Sequence, residues 1–242
     1  MKAGSKYAFT LAEVLITLGI IGVVAALTLP TLIANYQKQV SLTGLKKNYS
    51  ILSQAIEFAQ AEHGDDLKGW NSSDGPFQWY YNNQFLINVP NLFNYLSESV
   101  NFAKVVEVSF GGNANVTFCD LPDGQPYKWL DGKTNVNSGN GGYWSAAWAQ
   151  LQDGSCWFIA DTKRANSSQI MTNVMIDING NKNPNRLGRD VFVLSINQNG
   201  KISGYAPGWY QSECKPGNNR AGEACAAKII EDGWQIKKDY PW

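Results

Sequence analysis

Residues Phe9 to Leu29 form a 21-residue run, FTLAEVLITLGIIGVVAALTL, whose single charge is Glu13. As a helix rising ~1.5 Å per residue, the run spans roughly 31 Å, enough to cross the hydrocarbon core of a bilayer. A segment this apolar must be surrounded by lipid or by other apolar helices, and a carboxylate within it calls for a partner. Nothing else in the run is charged, so that partner has to come from elsewhere.

The flanks orient the segment. Met1 to Ala8, MKAGSKYA, is short and basic, and Lys2 and Lys6 should stay cytoplasmic while the C-terminal bulk goes outward. A secretory signal carries its small-residue cleavage motif after the apolar stretch. Here the small residue, Ala8, precedes it, and Ala25-Ala26 before Pro30 is only a weak alternative. The pattern reads as a signal anchor.

The stretch AFTLAEVLITLGIIGVVAALTLP, Ala8 to Pro30, closely resembles the N-terminal segment of type IV pilins and type II secretion pseudopilins. That resemblance implies cleavage by prepilin peptidase between Ala8 and Phe9 and methylation of the new Phe9 amine. Glu13 then becomes the fifth mature residue. It also implies that Pro30 is the family's helix-kinking proline, and that the first-residue amine of a neighbouring subunit is Glu13's partner. Opposite charges in a low-dielectric setting offset each other's burial. The family usually has Gly before the cut, where this chain has Ala8.

Helical character continues past the run. Ile33, Tyr36, Val40, Leu45, Tyr49, Leu52, Ile56 and Ala59 recur mostly three or four residues apart. His63-Gly64-Asp65-Asp66 is a stop signal. The segments are therefore 1–8 as leader peptide, 9–29 as transmembrane and assembly helix, 30–61 as its amphipathic continuation, and 62–242 as one extracytoplasmic globular domain. Downstream the period changes to that of strands. Val105–Phe110 and Asn115–Cys119 flank Gly111-Gly112-Asn113-Ala114 as one expected hairpin; Ala147–Gln152 and Ser155–Ala160 flank Asp153-Gly154 as a second. Val174–Ile178, Val191–Ile196 and Lys201–Tyr205 are further strands, and Leu92–Val100 is a short helix candidate. The expected fold is α+β and pilin-like, a long N-terminal helix packed on an antiparallel sheet.

Four cysteines in an outward-facing chain favour disulfides, and with one histidine and no C-x-x-C pair a zinc site is disfavoured. Of three possible connectivities, Cys119–Cys156 would join neighbouring hairpins. Cys214–Cys225 would close a short loop, similar to the C-terminal disulfide loop of many type IV pilins. The loop IDINGNKNPNRLGRD, Ile176 to Asp190, is the best candidate for site chemistry. Asp177, Asn179, Asn181 and Asp190 are hard oxygen donors of the kind calcium takes, without EF-hand spacing. The competing reading is a loop held by Asx-turns and glycine, with Asp190 pairing Arg186 or Arg189.

Net charge is zero, and removing residues 1–8 leaves 18 basic against 20 acidic residues, a balance that offers no sign of a nucleic-acid partner. No catalytic constellation stands out, and the chain is not expected to be an enzyme. Trp70, Trp79, Trp129, Trp144 and Trp148 lie in turn-rich stretches, more in keeping with structural packing than with sugar stacking. The expected function is that of a structural subunit, minor or specialised, of a type IV pilus-like or type II secretion pseudopilus filament. The alternative is a membrane-anchored or filament-borne binding protein for adhesion, sugar or DNA capture. Expected partners are homologous subunits, the peptidase, an inner-membrane assembly platform and lipid. Expected localisation is a single pass through the bacterial inner membrane, C-terminus outside, followed by a periplasmic or cell-surface filament.

Overall fold

The computed structural model describes residues 10–64, 94–109, 115–121, 125–137, 145–161, 172–197, 199–204, 214–217 and 221–242. Ala8 and Phe9, most of the 62–100 stretch, and Trp70, Trp79 and Trp144 lie outside these residues. The chain forms two compact units, Met1–Val40 and Ser41–Trp242.

Helix α1 runs Leu11–His63 and contributes to both units. From Leu11 to Leu29 it is apolar on every side apart from Glu13 and the threonines, and Leu11, Leu15, Ile16, Leu18, Ile20, Ile21, Val23 and Leu27 are exposed. By length and composition it is the one helix among the described residues able to cross a membrane. A helix with this distribution needs apolar surroundings all round. Its hydroxyls are satisfied internally, Thr17 donating to the Val14 carbonyl and Thr28 to that of Val24, both at 2.9 Å. Pro30 lies inside the helix, where its missing N–H leaves the carbonyl four residues earlier without the usual donor.

The second unit has an α+β architecture. Strands β1 (Phe102–Ser109), β2 (Ser145–Leu151), β3 (Cys156–Asp161), β4 (Thr172–Asp177), β5 (Val191–Ile196) and β6 (Ile202–Gly204) form one sheet in sequential order. Every neighbouring pair is antiparallel. The pleat sends alternate side chains to opposite faces. Trp157, Ile159, Val174, Ile176, Phe192 and Leu194 form one core with Leu42, Leu45, Leu52, Ala55, Ile56 and Ala59 of α1. Those helix positions repeat at three, four and seven residues and so share one face. Helix α2 (Cys225–Glu231) adds Ala226 and Ile229 to the same core.

The opposite face carries Trp148, Cys156, Phe158, Met175, Val191 and Val193. It is covered by Val116, Phe118, Tyr127, Trp129 and Val136 from the irregular stretch 115–137. Strand β5 is buried along its whole length because both faces are covered.

A three-residue turn, Gln152-Asp153-Gly154, closes the β2–β3 hairpin, one residue longer than the expected Asp153-Gly154 turn, so Leu151 and not Gln152 faces Ser155. Leu151 N–H donates to the Ser155 carbonyl at 2.8 Å, and Gly154 takes φ +89°, which a side chain disfavours. One expected pairing is corrected. Strand β1 pairs with β2 and not with 115–119, which forms only an isolated bridge from Asn115 to Asn137. The alternation in 115–119 is present, with Val116 and Phe118 buried and Asn115 and Thr117 exposed. Those buried side chains pack against the sheet's face, in the cluster of Trp148, Phe158 and Met175, and do not extend its edge. Of the expected Leu92–Val100 helix, residues 94–97 are helical and 98–100 form a turn, while 92 and 93 lie outside the described residues.

Candidate functional site

Two places concentrate the chemistry singled out in the sequence. The first is the start of α1. Thr10 precedes the helix; its N–H and its Oγ1 each donate to Glu13 Oε2 at 2.8 Å, while Glu13 N–H donates to Thr10 Oγ1 at 3.2 Å. This reciprocal arrangement is a capping box, in which two backbone donors that a helix start leaves open are satisfied by side chains three residues apart. Glu13's carboxylate thus has donors within its own chain. The signal was readable, since Thr10-Leu11-Ala12-Glu13 has the T-x-x-E spacing before an apolar run. The apolar run drew attention to the charge and hid the cap.

The second place is the loop between β4 and β5. Asp177 closes β4 and is fully buried. Its Oδ2 accepts the Tyr127 hydroxyl at 2.7 Å and its Oδ1 accepts Asn179 N–H at 3.1 Å. Asp190 opens onto β5, accepting Asn185 N–H and Arg186 N–H at 2.8 Å each, and its carbonyl accepts Ile178 N–H at 3.0 Å. Burial pushes the Asp190 carboxyl up to about 6. Burial, and then the Asp190 charge, push Asp177 well above the carboxylate range, and burial with the Asp177 charge raises Tyr127.

The loop brings Asp177, Asn179 and Asp190 together, with Asn179 bonded through its N–H to Asp177 and through Nδ2 to the Asn183 carbonyl at 3.4 Å. Asn181 is exposed. Asp190 pairs with backbone N–H groups, while the Arg186 guanidinium turns to the Leu130 carbonyl and that of Arg189 lies 4.4 Å from the Trp242 ring centre. Asn179 Oδ1 is buried and accepts no hydrogen bond. Among the described residues no three His, Cys, Asp or Glu side chains converge, so any cation here would lean on amide and carbonyl oxygens as well as the two carboxylates.

The loop is anchored to its surroundings. Gly180, at φ +67°, lets its backbone press against the Gly154 carbonyl, where a side chain would collide. Ile178 lies against Gly44 of α1; a Cβ on Gly44 would meet Ile178 Cβ and Cδ1 at 2.9 Å. Tyr240 Oη donates to the Gly188 carbonyl at 2.6 Å. Neither Tyr127 nor Tyr240 could be assigned to this loop from local sequence, because each reaches it across about 50 residues or more.

The cysteines pair as Cys119–Cys156 and Cys214–Cys225, with no free thiol. Trp129 and Trp148 are buried in the second core and are unavailable for stacking on a sugar.

These features define a chain with an N-terminal apolar helix, long enough to cross a membrane, leading into a disulfide-bonded α+β unit. Residues 31–242 match a family of unknown function, DUF6613, and the chain belongs to that family. The match begins directly after Pro30, so the apolar run with Glu13 lies outside the matched residues. No curated protein and no solved structure matches the chain.

Proposed function

We propose that this chain is a filament subunit of the type IV pilin or type II pseudopilin kind. In this reading it is stored in the inner membrane, cut between Ala8 and Phe9, methylated on Phe9, and polymerised through α1. The observation that carries the reading is the start of α1. A carboxylate held by Thr10 on the first helical turn stands at the head of an apolar run whose large side chains are exposed. Capping by itself asks only for a side-chain acceptor, which an uncharged glutamine supplies, whereas a helix that must align with a neighbour's cationic amine has a use for the charge. The outer unit then specialises the subunit. The test is intact-mass analysis of the protein recovered from a host with a prepilin peptidase. Loss of residues 1–8 with gain of one methyl group is expected, and an unprocessed N-terminus sinks the reading.

Calcium at the β4–β5 loop is a second element, favoured by the buried Asn179 Oδ1 that lacks a donor beside the Asp177 and Asp190 carboxylates. A divalent cation would supply charge that lets both carboxyls ionise. Millimolar calcium should raise the melting temperature of the full chain in detergent; an unchanged value removes calcium from the account.

A further inference from the structure

Residues 115–121 cover part of the sheet's second face yet are poorly secured to it. Their backbone bonds run to Val136 and Tyr127 of the same covering stretch and within their own turn, where Leu121 N–H meets the Phe118 carbonyl. Contact with the sheet is made by side chains. Phe118 stacks between Tyr127 and Phe158, at ring-centre distances of 4.2 and 4.9 Å, and Val116 is buried in the same cluster. The turn itself is unfavourable, since two successive non-glycine residues, Cys119 at φ +60° and Asp120 at φ +53°, occupy the left-handed region. Besides the Tyr127 hydroxyl, which donates to the Phe118 carbonyl at 3.5 Å, two attachments hold it. One is the ion pair from Lys104 Nζ to Asp120 Oδ1 at 2.7 Å, about half exposed on both sides and therefore a weak restraint. The other is the bond from Cys119 to Cys156, the first residue of β3.

We propose that Cys119–Cys156 is a redox clasp for this flap. Formation closes residues 115–121 over Phe158, and reduction releases the left-handed turn and uncovers the apolar face beneath. The reductant is a dithiol or two thiol molecules, which supply two electrons and two protons and leave as a disulfide. Closure requires an oxidant that itself carries a disulfide, either a thiol–disulfide oxidoreductase or a small disulfide. The two thiols lose two protons and two electrons as the S–S bond forms, and the oxidant's disulfide takes them up as two thiols. Cys214–Cys225 is a local clip, spanning 11 residues against 37 for the clasp.

The experiment is limited chymotrypsin digestion of the full chain in detergent micelles across graded ratios of reduced to oxidised glutathione, with thiol alkylation reporting each bond. Cleavage after Phe118 should rise about tenfold as the clasp is reduced, tracking local opening, while Trp157 and Phe192 in the sheet stay protected. The Cys119→Ser/Cys156→Ser variant should reproduce this, and Cys214→Ser/Cys225→Ser should leave Phe118 protected. The proposal is overturned if reduced wild type stays protected at Phe118. It is equally overturned if Phe118, Trp157 and Phe192 open together, because the flap would then have no independent motion.

Discussion

Asn48 is a buried amide on the face of α1 that meets the sheet, and its replacement should be expensive for a reason that can be isolated. Its Oδ1 accepts Trp157 Nε1–H at 2.7 Å, and its Nδ2 donates to the Gly44 carbonyl at 3.0 Å. Ser155 Oγ also lies 3.2 Å from Oδ1, but that hydroxyl has a second acceptor in Asp153 Oδ1 at 2.7 Å. Asn48→Leu keeps the approximate volume and leaves one true orphan, the indole N–H of the fully buried Trp157. An unsatisfied buried donor costs about 1–3 kcal/mol. For a unit of this size, 2 kcal/mol corresponds to roughly 4–8 °C in melting temperature. Removing the donor as well should recover most of the loss, so Asn48→Leu should be much milder in a Trp157→Phe background. Thermal unfolding of the full chain in micelles, followed by near-UV circular dichroism for all four proteins of the cycle, reads the coupling directly. A coupling near zero would refute the reasoning, because the cost would then come from packing and not from the lost acceptor.

Gly44→Val places its side chain into Ile178 Cβ and Cδ1, so overpacking of about 1–3 kcal/mol is expected, and Ile178→Ala should relieve part of it in the same melting assay. Lys47→Ala breaks a 2.6 Å pair with Asp153 that is half exposed on the lysine side; less than about 1 kcal/mol should be lost. The β4–β5 loop has a definite pH sign. Asp190 is raised from 3.8 to about 6 in the folded state, so its contribution is full below the unfolded value and lost as pH rises through 6. The loss amounts to about 3 kcal/mol over the whole window, roughly half of it between pH 5 and pH 7.5, so calcium-free protein should melt higher at pH 5 than at pH 7.5, and Asp190→Asn should flatten the profile. If calcium binds, it should remove this difference, because the cation favours the ionised carboxylates.

What was legible in the sequence follows the range of the interactions. The amphipathic half of α1 reads from its period because its buried residues lie three to seven apart on one stretch of chain. The β2–β3 hairpin reads from Asp153-Gly154, but its register does not: Leu151, not Gln152, lies opposite Ser155, so the turn has three residues, Gln152-Asp153-Gly154, with Gly154 in the left-handed region. The partner of β1 does not read. Its strand and β2 are separated by the covering stretch 115–137, whose alternating Val116 and Phe118 satisfy a strand's pattern while packing on a face. The loop at 177–190 was visible as a cluster of oxygen-bearing residues. Its controlling contacts were hidden, since Tyr127 arrives from 50 residues away and Gly44 from the helix. Asn48 reads from sequence as part of the polar faces of α1 with Lys46, Lys47, Gln54 and Glu57, and the structure corrects this by burying it against the sheet. A lone amide on a helix becomes informative only when Trp157, 109 residues on, is placed opposite it.

The charge at Glu13 admits a sharper argument once Thr10 is seen beside it. Two roles are on offer, closing the helix start within the chain and pairing with a neighbour's amine, and one pair of substitutions separates them. Glutamine serves at the third helical position of a capping box as glutamate does, so Glu13→Gln preserves the cap while deleting the charge. Thr10→Val does the reverse, removing the hydroxyl that exchanges hydrogen bonds with Glu13 while leaving the carboxylate ionisable. If the charge recruits a cationic amine, Glu13→Gln should abolish filaments with normal processing at Ala8, counted by electron microscopy of sheared surface fractions, while Thr10→Val should assemble at a reduced level. If capping is the whole role, the ranking inverts, with Glu13→Gln assembling like wild type and Thr10→Val failing. That inversion would return the apolar run to a plain membrane anchor, and the filament reading would lose the observation that carries it.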